Sequence, residues 1–257
     1  TVQVTGHQVL FDPVNPDVIY AYGSNSNGIH RSSDAGASWS SIASFYAASL
    51  AIDPGNPNRL YAGTVVPTGV YVSNDGGATW SLATFGAWGG TVGSLAVDPG
   101  NGSVAYAGTI GDFDNPGSGL FKTIDGGTTW THVSVGTYDA EIGCIAVDPS
   151  SSNVVYVGTT WGGWPIQGLL KSIDAGATWT PSSTGLPEYT TVDDIAMDPS
   201  QSGTLYVVSN QRLFRSTDAG GQWVEAGTGA YRGVFGVDLF RSNPSVLCIA
   251  TGYGVAT

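Results

Sequence analysis

Among the acidic residues outside the recurring phrases of the chain are Asp112, Asp114, Asp139, Glu141, Glu188, Asp193 and Asp194. Two carboxyl groups held about 5–10 Å apart can cleave a glycosidic bond, one protonating the departing oxygen and the other acting as nucleophile or base. The conceivable pair joins Asp112 or Asp114 to Asp193 or Asp194. The segments that do not recur are also aromatic. They carry Phe45 and Tyr46, Trp88 in "FGAWGG", Tyr138 in "GTYDAE", Tyr189 in "LPEYTT" and Tyr231 in "GAYRG". Trp161 and Trp164 share the insertion "TWGGWPIQG". Rings beside Gly, Asp and Asn suit a sugar, whose CH face stacks on the ring while polar groups bond its hydroxyls. The plainer alternatives are that the acids are solvated surface groups and that the rings plug gaps between sheets. Trp161 and Trp164 have little to pack against in so glycine-rich an insertion, so they are the stronger ligand contacts.

Other chemistries find little support. His7, His30 and His132 are scattered and lack metal spacing, and His30 and His132 are expected to face solvent. The loop "GDFDNPG" lacks the regular spacing of a calcium loop, so neither metal nor cofactor is expected. The chain holds 20 Asp and Glu against 8 Lys and Arg, a net charge of −12. That charge repels nucleic acid and anionic membrane surfaces. No apolar run approaches the roughly 18 residues of a membrane span. Cys144 and Cys248 lie in apolar runs and are expected to be buried thiols. A polar, lysine-poor, acidic surface points to a secreted or cell-surface protein. "NGS" at 101–103 would be a glycosylation acceptor in a host that uses it.

What must position these residues is a repeat. "RSSDAGASW" ends at Trp39, "VSNDGGATW" at Trp80, "KTIDGGTTW" at Trp130, "KSIDAGATW" at Trp179 and "RSTDAGGQW" at Trp223. Ahead of each runs an apolar phrase ending in Asp, at Asp12, Asp53, Asp98, Asp148, Asp198 and Asp238, spaced by 41, 45, 50, 50 and 40 residues. Ala stands two residues before this Asp in four of the phrases, and Gly in the last. A β-branched, tyrosine-bearing run follows ("VIYAYG", "RLYAGT", "VAYAGT", "VVYVGT", "TLYVVS", "VLCIAT"), and a third run leads into the box. Runs of this kind bounded by Gly, Pro and Asn read as strands. Four antiparallel strands per unit, repeated, predict an all-β fold, a six-bladed β-propeller in a single domain spanning 1–257. The units run over about 7–47, 48–92, 93–142, 143–192, 193–233 and 234–257. The strand-like segment 1–6 is expected to pair with the last unit and close the ring, leaving no bare edge.

The five boxes resemble the Asp-box, or BNR, repeat of sialidases, sortilin-type receptors, xyloglucan-cleaving glycosidases and photosystem assembly factors. The resemblance covers nearly the whole chain, and it implies that the box is a structural turn between third and fourth strands. The residues agree. Asp34, Asp75, Asp125, Asp174 and Asp218 can accept main-chain N–H bonds two or three residues on, as in an Asx-turn. The second Gly of each box permits a positive φ. Trp39, Trp80, Trp130, Trp179 and Trp223 can fill the space between turn and sheet. The aspartates before the Pro-rich turns are read as structural too. Among the implied activities, a sialidase needs clustered arginines, whereas Arg31, Lys122, Lys171 and Arg215 share one repeat position before the boxes. The xyloglucan-cleaving relatives carry an acid in the first unit's second-to-third strand loop, which here reads "AYGSNSNGIHR". The assembly factors use an arginine patch that this acidic chain lacks.

The expected function is a non-catalytic extracellular module binding a glycan or a protein through Trp88, Tyr138, Trp161, Trp164, Tyr189 and Tyr231. The alternatives are a glycoside hydrolase or lyase using Asp112, Asp114, Asp193 or Asp194, and a structural module of a surface layer or filament.

Overall fold

The computed structural model describes residues 8–23, 28–83, 90–111, 119–136, 140–160, 168–188, 190–227, 233–239, 246–251 and 254–256, and no helix occurs among them. The chain divides into two compact units, Thr1–Val133 and Ser134–Thr257. Three four-stranded sheets form the first unit. They comprise β1 (Gln8–Phe11), β2 (Ile19–Tyr22), β3 (Ile29–Ser32) and β4 (Ser40–Ala43); β5 (Ala47–Asp53), β6 (Asn56–Thr64), β7 (Val70–Ser73) and β8 (Ser81–Ala83); and β9 (Thr91–Val97), β10 (Ala105–Ile110), β11 (Leu120–Thr123) and β12 (Thr131–Val133). The second unit holds β13 (Ile142–Asp148), β14 (Ser151–Thr159), β15 (Leu169–Ser172) and β16 (Thr180–Pro181). Next come β17 (Val192–Met197), β18 (Leu205–Ser209), β19 (Arg212–Ser216) and β20 (Val224–Glu225). A three-stranded sheet of β21 (Val234–Leu239), β22 (Leu247–Thr251) and β23 (Gly254–Ala256) completes it. Every sheet is an antiparallel meander in chain order. The segment 1–6, expected to join the last sheet, lies outside the described residues.

Second strands are buried on both faces over their C-terminal halves, which is why they read as unbroken apolar runs rather than alternating ones. In the first unit Tyr20, Ile29, Leu50 and Leu60 pack together, as do Tyr61, Val72, Val92 and Phe121. In the second unit Tyr156, Leu169, Val207 and Phe214 form one cluster, and Val208, Val237 and Ile249 another. Each such side chain contributes about 1.5–3 kcal/mol by leaving water. Cys144 belongs to this core, but Cys248 is only half-buried, contrary to expectation: it sits in β22 of the three-stranded sheet. His132 is exposed and meets the edge of Phe121, with ring centres 5.4 Å apart, while His30 is half-buried.

The Asp-Pro turns follow from one short side chain. Asp12 Oδ1 accepts the N–H groups of Val14 and Asn15 at 2.8 and 3.0 Å, and Asp53 Oδ1 those of Gly55 and Asn56 at 2.9 and 3.2 Å. Asp198 does the same with Ser200 and Gln201. Asp238 departs from this pattern. It is followed by Leu rather than Pro, stays exposed on β21, and accepts only the N–H of Leu239 among these bonds. Asn101 uses its amide oxygen in the same way, on the N–H of Ser103.

The boxes are built differently from a two-residue Asx-turn. Asp34 Oδ1 accepts from the N–H of Ser38, four residues on, at 2.8 Å, and Oδ2 from the Ser38 hydroxyl at 2.6 Å. Ser32, two residues earlier, donates its hydroxyl to Asp34 Oδ1 and accepts the N–H of Gly36. The same bonds recur around Asp75, Asp125 and Asp174. At Asp218 the fourth residue on is Gln222, so the main-chain bond remains but the hydroxyl is missing. The second glycines have φ between 81° and 92°, as the residue type anticipated. The residue before each is left-handed as well, including Ala35, Ala175 and Ala219 at 54–57°. Of the box tryptophans only Trp223 is fully buried, and its indole N–H reaches Ser182 O across the sheet boundary at 2.7 Å. Trp39, Trp80, Trp130 and Trp179 are half-buried.

The fifth box docks on the sheet before it. Tyr156 Oη and Lys171 Nζ both donate to Ala219 O, at 2.9 and 2.8 Å. The basic residues at this repeat position lie over tyrosine rings: Arg31 over Tyr20, Lys122 over Tyr106, Lys171 over Tyr156 and Arg215 over Tyr206, at 5.3–6.0 Å.

Hydroxyl and main-chain bonds hold the carboxyls of Asp34, Asp75, Asp125 and Asp174 at about 2, against an ordinary 3.8. Asp218 is lowered chiefly by the hydroxyl of Ser216. The fold therefore favours the ionised boxes, and this stabilisation is complete above about pH 4 and lost as the pH falls toward 2. The melting temperature should drop steeply across that interval, and Asp174→Asn should melt lower at pH 7 and lose less on acidification. Tyr156→Phe should cost about 1 kcal/mol in urea unfolding, and Tyr206→Phe less than half of that, because only the first hydroxyl spans two sheets.

Candidate functional site

The six candidate ligand-binding aromatics, Trp88, Tyr138, Trp161, Trp164, Tyr189 and Tyr231, lie outside the described residues, as do Asp112 and Asp114. What the structure does describe is how two of their loops are anchored. Thr109 N–H donates to Gly119 O at 3.0 Å, and Gly119 N–H donates to Thr109 Oγ1 at 2.7 Å. Thr159 and Gly168 make the same pair of bonds at 2.9 and 2.8 Å. All four residues are buried or at the edge of the core. The Thr is the last residue of the phrases "AYAGT" and "VVYVGT", and the Gly opens the third strand. This two-bond clamp was a signal present in the sequence and not recognised there. Asp112, Asp114 and Phe113 fall inside the first clamped segment, and Trp161 and Trp164 inside the second. The fifth repeat lacks such a segment: Asn210 and Gln211, with φ of 49° and 61°, close a two-residue turn from β18 to β19.

Phe45 is a packing residue rather than a free ring. It stacks on Tyr71 with centres 3.9 Å apart and meets Trp80 edge-on. Tyr46 next to it is 49% exposed.

First strands bring the remaining acids to a repeated irregularity. In β5, β9, β13, β17 and β21 one residue is squeezed out of register as a bulge: Ala48, Gly93, Gly143, Asp193 and Phe235. In β5, β13 and β17 the next side chain reaches the adjacent sheet. Ser49 Oγ donates to Val92 O at 2.7 Å, and Cys144 Sγ lies 3.4 Å from Val192 O. The facing residues are Gly63 and Gly158, where a Cβ would stand 2.3 and 2.4 Å from those side-chain atoms, so the approach requires glycine. Burial pushes the Cys144 thiol well up.

In the fifth repeat this position is Asp194. Its Oδ2 accepts the N–H of Val237 at 2.9 Å, and Oδ1 that of Ile195 at 2.9 Å. Although part of its surface is accessible, protein encloses most of the side chain, and this burial raises the carboxyl to about 6 against the pull of the two N–H donors. Asp193 occupies the bulge itself and stays exposed. Burial draws its carboxyl upward too, opposed by the Thr191 hydroxyl. Asp194 can thus deliver or take a proton near neutral pH, which is what a general acid requires. Glu188 is exposed, and Glu141 is 3.4 Å from the Thr160 hydroxyl. No group of three or more potential metal ligands occurs among the described residues. Arg59 bridges Asn74 and Ser103, and Arg212 pairs with Glu225, so these arginines serve the scaffold.

No protein-family model and no curated protein sequence matches the chain. Solved structures do. A GH74 enzyme of Niastella koreensis matches with a TM-score of 0.75 at 23% identity, over 98% of this chain and 44% of that one. A GH74 xyloglucanase of Xanthomonas campestris matches with a TM-score of 0.74 at 23% identity, over 96% of this chain and 42% of that one. YCF48 of Cyanidioschyzon merolae matches at 0.56 and 15% identity, over 96% and 92%. The chain therefore spans less than half the length of the GH74 enzymes it resembles. The likeness shows the β-propeller fold.

The fold disfavours ionised Asp194, so its penalty is absent below the ordinary carboxyl value and grows as pH rises toward about 6. A carboxyl-detected NMR titration should find its midpoint near 6, and Asp194→Asn should remove the loss of stability between about pH 4 and 6.

Proposed function

We propose that the chain is an extracellular, non-catalytic carbohydrate-binding module whose contacts are the aromatic side chains of its loops. The observation that supports this is the Thr–Gly clamp, which hangs Trp161 and Trp164, with Asp112 and Asp114, from rigid strand ends. Binding groups on loops held by a stiff scaffold lose little entropy on engaging a ligand. Carboxylates elsewhere support the same division of labour, since the box aspartates and most of the Asp-Pro aspartates are consumed by turns. Trp88, Tyr138, Tyr189 and Tyr231 are the remaining candidate contacts in this reading.

A second reading, a glycoside hydrolase, is favoured by the enclosure of Asp194, which pushes its carboxyl up to about 6, with Asp193 beside it in the chain. The likeness to GH74 enzymes is in keeping with it. Against it stands the first repeat's acid-free loop.

Xyloglucan and a panel of other soluble polysaccharides should be titrated while tryptophan fluorescence and reducing ends are followed together. We expect a saturable fluorescence change with one sugar class, weakened at least tenfold in Trp161→Ala or Trp164→Ala, with no new reducing ends. Reducing ends that vanish in Asp194→Asn would establish the hydrolase instead. A flat response throughout would sink both.

A further inference from the structure

We infer that Asn101 is a site of spontaneous covalent modification, at which the folded turn converts asparagine to isoaspartate and loosens the contact between two sheets. This is independent of the carbohydrate reading.

Asn101 lies in the turn between β9 and β10. Its N–H donates to Asp98 O at 3.2 Å, and Val104 N–H donates to Asn101 O at 2.8 Å. The side-chain oxygen, Oδ1, accepts the N–H of Ser103 at 3.1 Å. That last bond draws electron density from the carboxamide carbon, Cγ, and makes it a better electrophile. The Gly102 N–H takes part in none of these bonds, so the main-chain nitrogen next to Cγ is uncommitted. Asn101 is exposed, and water reaches it.

The other repeats show what is special here. Asn15 and Asn56 hold the same position, three residues after the turn aspartate, and accept the N–H groups of Asp17 and Asn58 at 3.1 and 3.3 Å. Each is followed by Pro, whose nitrogen has no proton to lose. The fourth and fifth repeats carry Ser151 and Gln201 instead. Only the third of these five turns puts an asparagine before a residue with an N–H. That residue must be glycine, because a Cβ on Gly102 would stand 1.7 Å from Asp53 Oδ2 in the preceding sheet. Glycine also obstructs attack by its own nitrogen least, having no side chain. Sheet packing thus imposes the reactive pair.

The Gly102 nitrogen gives up its proton and attacks Asn101 Cγ. The Cγ–Nδ2 bond breaks, ammonia leaves with that proton, and a five-membered cyclic imide remains. Water then opens the imide. Cleavage at the side-chain carbonyl yields aspartate. Cleavage at the main-chain carbonyl yields isoaspartate, in which the chain runs to Gly102 through Cγ and is longer by one carbon.

The lengthened segment is the one that touches the preceding sheet. Tyr61 Oη donates to Gly102 O at 2.8 Å, and Arg59 Nη1 donates to Ser103 Oγ at 3.0 Å. Displacing Gly102 unseats the buried Tyr61 hydroxyl, whose lost bond is costly. Either product also adds a carboxylate to a turn that already holds Asp98.

The whole protein, produced without N-glycosylation, should be incubated in mildly alkaline buffer made with heavy-oxygen water, beside a free peptide of residues 98–104. Peptide mass mapping and enzymatic methylation of isoaspartate follow the product. We expect labelled isoaspartate at 101, formed in the protein at no less than about a tenth of the peptide's rate, with Asn15 and Asn56 intact. The converted fraction should melt at a lower temperature. Asn101→Gln should keep its melting temperature through the same incubation. Asn101 left intact in the protein while the peptide converts overturns the inference. So does conversion shared equally with Asn15 and Asn56, which would mean direct hydrolysis of the amide rather than attack by Gly102.

Discussion

Everything in this fold depends on a carboxylate that holds a turn from inside. The box must reverse the chain between two short outer strands, and two consecutive left-handed residues would leave its N–H groups pointing at nothing. The aspartate gathers one of them, and the Ser or Thr two residues earlier gathers another. With its donors satisfied internally, the turn is free to present its carbonyls outward. That outward face is what the next contact uses: Ala219 O and Gly220 O are acceptors for the neighbouring sheet. Local turn chemistry and sheet-to-sheet packing are one device rather than two.

The same economy explains the basic residues of a very acidic chain. Four of the eight Lys and Arg side chains lie over a tyrosine ring at one repeat position, and Lys171 there also meets a turn carbonyl. Two more bridge neighbouring strands or repeats through Asn74, Ser103 and Glu225. Little positive charge is then left to recognise an anionic ligand, which agrees with the polar and aromatic character of the loops.

The meander of each sheet was legible in the chain because its signals are local and recur: an Asp before Pro, a Tyr in an apolar run, a box closing on Trp. Three features were not legible. The box aspartate bonds four residues on rather than two or three, because Ser32 and its equivalents take the nearer donors, and no residue type announces that exchange. Ala35, Ala175 and Ala219 adopt a conformation that alanine resists, held by the same bonds. The close approach of Ser49 and Cys144 to the next sheet depends on Gly63 and Gly158 facing them from another strand, a relation that only pairing reveals. The candidate site was legible as a set of residue types, and Asp194 emerged as unusual because it occupies a place held elsewhere by Ser or Cys. Its perturbation comes from the surrounding burial, which the N–H of Val237, 43 positions away in the chain, opposes.

The Thr–Gly clamp also separates the history of the loops from that of the sheets. A segment whose two ends are bonded to each other transmits almost nothing of its length or content to the strands below, and the fifth repeat manages with a turn of two residues where the fourth accommodates eight between Thr159 and Gly168. Such a scaffold can exchange one insertion for another by recombination at fixed junctions, acquiring a new specificity while its folding instructions stay untouched.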